Sequence, residues 1–146
     1  MTDNATFVRS LYEAWNDRDF DRQADAMAPD GTIEFVGSGQ VFKGTDGARQ
    51  YGQNWANGFP DGKVSIDNIV AAGDKVVVEY TGRGTHTGTL ESAMGPMPAT
   101  GKSVTLKLCD VYEIKDDKIH SQRSYLDTGS MMVQLGLAPA QSATTK

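Results

Sequence analysis

The period of the hydrophobic pattern changes once along the chain, near residue 60. Three segments before that point carry apolar residues at helical spacing: 4–18, 20–27 and 45–59. Four later segments alternate apolar and polar residues as strands do: 63–71, 75–88, 103–114 and 118–127. A short strand over 32–36 and a last helix over 129–135, which Thr128 can cap, complete the prediction. Helices followed by antiparallel strands favour an α+β fold with the helices on one face of a curved sheet.

Length and composition indicate a single domain over residues 1–146, because a chain of 146 residues has no room for two. Its hydrophobic content of 38% and its charged content of 23% are ordinary for a globular domain. We expect the ordered core to cover about residues 5–137 and residues 140–146 to form a frayed tail.

The charge balance argues against two classes of partner. Nineteen acidic residues against 14 basic ones give a net charge of −5, which repels nucleic acid and offers no basic patch to a membrane. No apolar run reaches the roughly 20 residues that span a membrane, and the polar N-terminus does not resemble a signal peptide. Two histidines and the single cysteine, Cys109, argue against a disulfide and a structural zinc site. We therefore expect a cytoplasmic protein that binds neither nucleic acid nor membrane and uses no metal or cofactor.

The last two predicted strands form a hairpin whose register can be worked out. If Asp116 and Asp117 are its two-residue loop, Asp110 faces Arg123 across the strands. The more apolar face is the expected inner one: Val104, Leu106, Leu108, Asp110, Tyr112, Ile114, Ile119, Ser121, Arg123, Tyr125 and Asp127. The other face is expected to point outward: Thr105, Lys107, Cys109, Val111, Glu113, His120, Gln122, Ser124 and Leu126.

Three charged residues on this inner face indicate a functional site, because a buried charge is costly unless it is paired or used. Asp110 and Arg123 face each other and can pair. Asp127 is the less compensated acid, and an acid among apolar side chains has a raised pKa that suits proton transfer near neutrality. His86, on the inner face of the strand 75–88, can join them. The predicted catalytic residues are therefore Asp127, His86, Asp110 and Arg123.

Each of these residues also has a structural interpretation. Asp127 precedes Thr128 and can be only a cap of the last helix. Asp110 with Arg123 is compatible with a structural ion pair, and His86 with a hydrogen-bonded core histidine. Three aromatic residues fit either the core or a pocket wall: Trp15, Tyr51 and Trp55.

A set of short motifs in a fixed order resembles the SnoaL-like polyketide cyclases, a branch of the nuclear transport factor 2-like superfamily. The motifs are Ala14-Trp15-Asn16, Phe59-Pro60-Asp61-Gly62-Lys63-Val64, Gly73-Asp74-Lys75-Val76, Gly82-Arg83-Gly84-Thr85-His86-Thr87-Gly88, Asp110-Val111-Tyr112, Lys118-Ile119, Tyr125-Leu126-Asp127 and Gln134-Leu135-Gly136. The resemblance covers about residues 5–137. It implies a cone-shaped α+β barrel, in which a curved antiparallel sheet wraps around three N-terminal helices and a short C-terminal helix follows.

The resemblance also implies a function. Characterised relatives close a ring in an aromatic polyketide ester by intramolecular aldol condensation, without metal or cofactor, and form dimers through the outer face of the sheet. Their general acid/base aspartate lies near the end of the last strand, which is the position of Asp127. His86 and the Trp15-Asn16 pair fall where the family lines its pocket. The expected substrate-binding residues are Trp15, Asn16, Tyr51, Trp55, Tyr80, Leu108, Tyr112 and Tyr125.

We therefore expect a homodimeric enzyme that closes a ring in a small apolar or aromatic carbonyl substrate, such as a polyketide or a related ketoester. Three alternatives stay open, because one fold hosts many functions. Epoxide hydrolysis uses an Asp–Arg–Asp cluster; Asp110, Arg123 and Asp127 supply these residue types, in a different order from limonene epoxide hydrolases. A ketosteroid-isomerase-like proton transfer is the second alternative. A non-catalytic protein that binds a small apolar ligand is the third.

Overall fold

The computed structural model describes residues 3–139, which form four helices and eight strands. In chain order the elements are α1 (Asn4–Asn16), α2 (Phe20–Asp25), β1 (Met27–Phe35), β2 (Gln40–Lys43), α3 (Gly44–Gly58), β3 (Lys63–Ala72), β4 (Lys75–Thr85), β5 (Leu90–Ser92), β6 (Gly95–Met97), β7 (Ser103–Lys115), β8 (Lys118–Leu126) and α4 (Thr128–Gln134). The tail expected at 140–146 lies outside the described residues. Within residues 3–139, no helix is long and apolar enough to cross a membrane.

Six strands form one curved sheet in the order β2-β1-β8-β7-β4-β3, and β5 pairs with β6 separately. Neighbouring strands of the large sheet are antiparallel except β1 and β8, which run parallel. The fold is α+β as the sequence predicts, with two corrections: the sheet is mixed rather than wholly antiparallel, and it stays open, with β2 and β3 at its edges. Residues of α1 and α3 share one buried cluster with inner residues of β4, β7 and β8, so helices cover the inner face.

Aspartates cap three of the helices. Asp3 Oδ1 accepts a hydrogen bond of 2.8 Å from the backbone N–H of Thr6 at the start of α1, and Asp19 and Asp127 cap α2 and α4 in the same way. The apolar stripe expected on α1 comprises Phe7, Val8, Leu11, Tyr12 and Trp15. Val8, Leu11 and Tyr12 are buried as expected, Ala14 is buried with them, and Phe7 and Trp15 are partly buried. This face turns Tyr12 towards the sheet.

Strand β1 begins at Met27, earlier than the predicted start near residue 32. Met27 pairs with Ile119 on β8, and the register shifts before Thr32, so a bulge takes up the residues around Pro29. Gly31 is required here, because a Cβ at this position would lie 2.5 Å from the Ile119 carbonyl oxygen. Proline and glycine look like a break in the sequence, and this explains why the pattern misses the first half of the strand.

The turn of the β7–β8 hairpin is predicted correctly. Asp116 and Asp117 have positive φ angles of 53° and 58°, as a two-residue type I′ loop requires. Next to the turn, Ile114 faces Ile119, again as predicted.

Beyond that pair, the predicted register of β8 is wrong by one residue. The shift follows from one extra residue in β8, His120, which forms a bulge. Asp110 therefore faces Ser124, and Arg123 faces Val111. The bulge puts the uncharged side chains of Gln122 and Ser124 inside and leaves the charge of Arg123 near solvent, where it needs no buried partner. A slip of one residue exchanges the two faces of a strand, so every β8 residue after the bulge points to the opposite side from the one predicted.

Candidate active site

A cavity of about 120 Å³ lies between the inner face of the sheet and the helices α1, α2 and α3. Seven aromatic residues contribute to its wall: Tyr12, Trp15, Tyr51, Trp55, Phe59, Tyr80 and Tyr112. Helical spacing explains the helix members, because residues three or four apart share one face of a helix. An apolar cavity with a few convergent polar groups is typical of a small-molecule site.

The polar groups of this wall converge on the carboxyl group of Asp110. Its Oδ2 accepts hydrogen bonds of 2.7 Å from the Tyr12 hydroxyl, 3.3 Å from the Tyr112 hydroxyl and 3.4 Å from Gln122 Nε2. Its Oδ1 accepts a bond of 3.1 Å from the Tyr80 hydroxyl. The hydroxyl oxygens of Tyr12 and Tyr112 are 2.6 Å apart. Each phenol has one proton, so when Tyr12 donates to Asp110 the Tyr112 proton is shared between the Tyr12 oxygen and Asp110 Oδ2. One buried acid is thus surrounded by three phenols and an amide.

Each member of the cluster comes from a different part of the fold. Asp110 and Tyr112 are alternate residues of β7 and point to the same side. Tyr80 lies on the neighbouring strand β4, opposite Leu108, which places it diagonally from Asp110. Tyr12 reaches the carboxyl group from α1, so the helix layer closes the cluster from above the sheet.

Burial shifts the proton equilibria of the cluster towards the neutral forms. Asp110 is 2% exposed, and loss of hydration raises the pKa of its carboxyl group, while hydrogen bonds from Tyr12, Ser124, Tyr80 and Tyr112 offset part of that rise. Burial, followed by the nearby charge of Asp110, holds the pKa of Tyr12, Tyr80 and Tyr112 well above that of free tyrosine. The carboxyl group therefore holds a proton more readily than an exposed aspartate does, which suits a group that takes and returns a proton, and the phenols stay protonated as donors.

The two carboxyl oxygens of Asp110 have unequal numbers of hydrogen-bond donors. Among residues 3–139, three donors lie within hydrogen-bond distance of Oδ2, and the Tyr80 hydroxyl lies within that distance of Oδ1. The buried Ser124 hydroxyl, opposite Asp110 on β8, is a further donor that lowers the pKa of the carboxyl group.

The structure brings most of the predicted site residues together at this cavity. Those that line it are Trp15, Tyr51, Trp55, Tyr80, Leu108, Asp110 and Tyr112. For the three aromatic residues with two interpretations, Trp15, Tyr51 and Trp55, the position is that of a cavity wall.

Three predicted site residues lie elsewhere, because the β8 bulge turns them outward. Asp127 is exposed, and its Oδ1 accepts a 3.0 Å hydrogen bond from the Ser130 N–H as the cap of α4. Arg123 Nη1 lies 4.0 Å from Glu113 Oε2 rather than beside Asp110. Tyr125 is 42% exposed. The expected Asp110–Arg123 pair and the expected inner position of Asp127 are therefore wrong, and the position of Asp127 does not support its predicted catalytic role.

Two further predicted residues support the wall from behind instead of lining the cavity. The amide of Asn16 donates 2.9 Å to the Val64 carbonyl and accepts 2.8 Å from the Val64 N–H, which ties α1 to the edge strand β3. His86 is fully buried behind Phe59, with the two ring centroids 5.3 Å apart, and its Nδ1 accepts a 3.3 Å bond from the Thr100 N–H. Burial lowers the pKa of His86, which favours its neutral form.

The sequence prediction misses two members of the cluster, Tyr12 and Gln122. Tyr12 falls on the apolar stripe of α1, and the available signal is its hydroxyl group, which needs a partner when the ring is buried. Gln122 is assigned to the outer face by the register without a bulge, and nothing in the local sequence marks the bulge. Within the described part of the chain, no group of three or more His, Cys, Asp or Glu side chains is placed to hold a metal ion.

Comparison with known proteins identifies the family. The model of the SnoaL-like polyketide cyclase family matches residues 5–135. No curated relative matches the chain. Among solved structures, the chain is similar to IdmH from Streptomyces antibioticus, provisionally assigned as a polyketide cyclase. The identity is 27% and the TM-score 0.73, over 90% of this chain and 96% of that one.

Two other similar structures show the fold alone. One is a protein from Catenulispora acidiphila with a ketosteroid isomerase-like fold, at 18% identity and a TM-score of 0.76, covering 93% of this chain and 96% of that one. The other is an LEH-like epoxide hydrolase from M. tuberculosis, at 23% identity and a TM-score of 0.68, covering 90% and 87%. Because the family match runs from the first turn of α1 through α4, the chain belongs to the SnoaL-like polyketide cyclase family.

Proposed function

We propose that this protein is a cofactor-independent enzyme that moves a proton on a small apolar carbonyl compound and closes a ring in it by an aldol-type reaction. The observation that carries the proposal is the buried carboxyl group of Asp110, which lines an aromatic cavity and has tyrosine hydroxyls on both of its oxygens. Its family and the likeness to IdmH support the reaction class.

The reaction begins when Asp110 takes a proton from the carbon between two carbonyl groups of a bound ketoester. The resulting enolate carbon attacks a second carbonyl carbon of the same molecule, and a carbon–carbon bond forms. The attacked oxygen becomes an alkoxide, which takes the proton back from Asp110. Holding the two reacting carbons together in the cavity supplies much of the acceleration.

The tyrosines stabilise the charge as it moves from the protein to the substrate. While Asp110 is ionised, the hydroxyls of Tyr12 and Tyr80 donate to it. Once Asp110 has taken the proton it accepts hydrogen bonds less strongly, because charge-assisted bonds are the stronger ones. The same hydroxyls can then donate to the enolate oxygen and so form an oxyanion site.

The geometry disfavours epoxide hydrolysis and is compatible with an isomerase. The Asp–Arg–Asp cluster of epoxide hydrolysis is not assembled, since Arg123 and Asp127 lie outside the cavity. A proton shift along a carbon chain, as in an isomerase, uses the same first step. It is the second candidate because Asp110 is the one carboxyl group among the cavity-lining residues and could return the proton to another carbon.

The decisive experiment compares the two nominated acids, Asp110→Asn and Asp127→Asn. With a panel of aromatic β-ketoesters in heavy water, NMR follows hydrogen exchange at the acidic carbon and formation of cyclised product. Loss of a general acid/base costs about 100-fold or more, so we expect that loss for Asp110→Asn and a parent-like rate for Asp127→Asn. Parent-like turnover by Asp110→Asn would refute the proposal, and retained ligand binding without turnover in the parent would favour the binding protein.

The proposal includes the state in which the enzyme works. We expect a homodimer formed through the outer face of the sheet, with neither nucleic acid nor membrane as a partner. The cytoplasmic location expected from the sequence stays a prediction.

A further inference from the structure

Gly82 stands on the inner face of β4 and lines the cavity, two residues from Tyr80. A glycine inside a strand weakens it and usually marks a bulge, a tight bend or the close approach of another group. Gly82 pairs in regular register with Val64 on β3 and Leu106 on β7, and it is not among the glycines with positive φ. The backbone therefore gives no reason for a glycine at this position.

Packing gives no reason either. A Cβ built on Gly82 meets Leu108 Cδ1 at 3.7 Å and Val64 Cγ1 at 3.8 Å, which are ordinary van der Waals distances. Both neighbours line the cavity, so a side chain here would extend between them into its open space. Gly84, the next inward residue, is different, because its Cβ would lie only 3.1 Å from Phe59 Cβ.

We propose that Gly82 forms a ring-binding subsite, and that its missing side chain sets the size of ring that the cavity accepts. The inference rests on the proposed function, which puts the reacting carbonyl groups at Asp110 and Tyr80. Residues two apart on a strand share a face and are about 7 Å apart. The subsite is therefore about one ring's length along the strand from Tyr80, whose hydroxyl donates to Asp110. The flat face of a ring can lie directly on the backbone between Val64 and Leu108.

The cavity volume is on the scale of a single ring. The cavity measures about 120 Å³, somewhat less than the roughly 150 Å³ of an engineered cavity that takes up benzene. With an aromatic wall, this volume favours a carbonyl compound carrying a single aromatic ring over one carrying fused rings.

Ligand binding tests the subsite without relying on turnover. Trp15 and Trp55 are the only tryptophans of the chain and both line the cavity, so their fluorescence reports its occupancy. The probes are 4-nitrophenol, with one ring, and 4-nitro-1-naphthol, with two fused rings. The variants are Gly82→Ala and Gly82→Val, with Val77→Ala as the control on the outer face of the same strand. Thermal unfolding by circular dichroism checks that each variant is folded.

We expect the parent to bind the one-ring probe about tenfold more tightly than the two-ring probe. Gly82→Val should bind the one-ring probe about tenfold or more weakly than the parent does. The affinity of Gly82→Ala should lie between those of Gly82→Val and the parent. Leu108→Ala, which removes the neighbour nearest the new Cβ, should restore binding to Gly82→Ala. Val77→Ala should bind as the parent does.

Two results would overturn the subsite: folded Gly82→Val binding the one-ring probe as the parent does, or the parent preferring the fused-ring probe. The proposed function fails separately. If Gly82 controls probe size but Asp110→Asn keeps full turnover, the subsite stands and the catalytic role of Asp110 falls. If Asp110→Asn loses turnover while Gly82→Val binds normally, the catalytic role of Asp110 stands and the subsite falls.

Discussion

Asp110 carries the proposed chemistry and also lowers the stability of the fold. Its carboxyl group is buried, and the raised pKa means that the folded protein disfavours the charged form. Hydrogen bonds from Tyr12, Tyr80 and Tyr112 recover only part of that loss. A residue that is kept although it destabilises the fold is typical of a functional site.

Replacing Asp110 by asparagine should therefore change stability in a pH-dependent way. Below the pKa of an unfolded aspartate, both states of the parent hold the proton and the penalty is absent. As pH rises towards the raised pKa of the folded state, the penalty grows by about 1.4 kcal/mol for each unit of the shift. The free energy of unfolding of Asp110→Asn relative to the parent should thus increase from about pH 4 up to the raised pKa of the folded state and then level off. Urea unfolding at several pH values measures it, and a constant difference would contradict the prediction.

Tyr12→Phe should move the pH dependence of turnover upward. The Tyr12 hydroxyl makes the shortest hydrogen bond to Asp110, and that bond lowers the pKa of the carboxyl group. Its loss raises this pKa, so a higher pH is needed to ionise the general base. The measurement is the pH profile of kcat/KM. Tyr125→Phe, which alters an exposed tyrosine on the other face, is the matched control and should leave the profile in place.

At the scale of elements, the sequence predicts the helices and the hairpin turn well, because caps, stripes and turn residues are local signals. Asp116-Asp117 form the loop between β7 and β8 as predicted. The bulge at His120 has no such signal, and it reverses the faces of the rest of β8. The predicted position of Arg123 failed for that reason alone, whereas residues of β7 kept their faces.

The last helix gives a prediction of its own. Asp127 caps α4, whose Met131 belongs to a buried cluster with Phe59 and Leu106. Asp127→Ala should lower the free energy of unfolding by about 1 kcal/mol, as loss of an N-cap does, whereas Asp127→Asn keeps an acceptor and should cost little. Chemical denaturation measures both variants. A loss of turnover in Asp127→Ala larger than its loss of folded protein would restore the catalytic interpretation of this residue.

At the scale of the whole molecule, the cavity forms only when three helices meet the sheet. The sequence could nominate Trp15, Tyr51 and Trp55, because helical spacing puts them on inner faces. It could not bring Tyr12 to Asp110, since the two are 98 residues apart and their contact depends on how α1 lies across the sheet. Local pattern therefore predicts which side chains face inward, and only the packed fold decides which of them touch.

The outer face of the sheet carries an apolar stripe that fits the expected homodimer. Val70 on β3 faces Val77 on β4, which in turn faces Val111 on β7. Val70 and Val77 are 54% and 37% exposed, although the solvent-facing side of an antiparallel sheet normally carries polar residues. A copy of the chain seated on this stripe would remove it from solvent through a twofold, self-complementary contact.

Light scattering at micromolar concentration should accordingly give twice the mass of one chain. Val77→Glu puts a charge in the middle of the stripe, and a twofold axis brings two such charges close together, so this variant should be monomeric. Val41→Glu is the matched control, because Val41 is also exposed but lies on the edge strand β2. A parent that scatters as a monomer would reject the dimer. A dimer that survives Val77→Glu but not Val41→Glu would move the interface to the β2 edge.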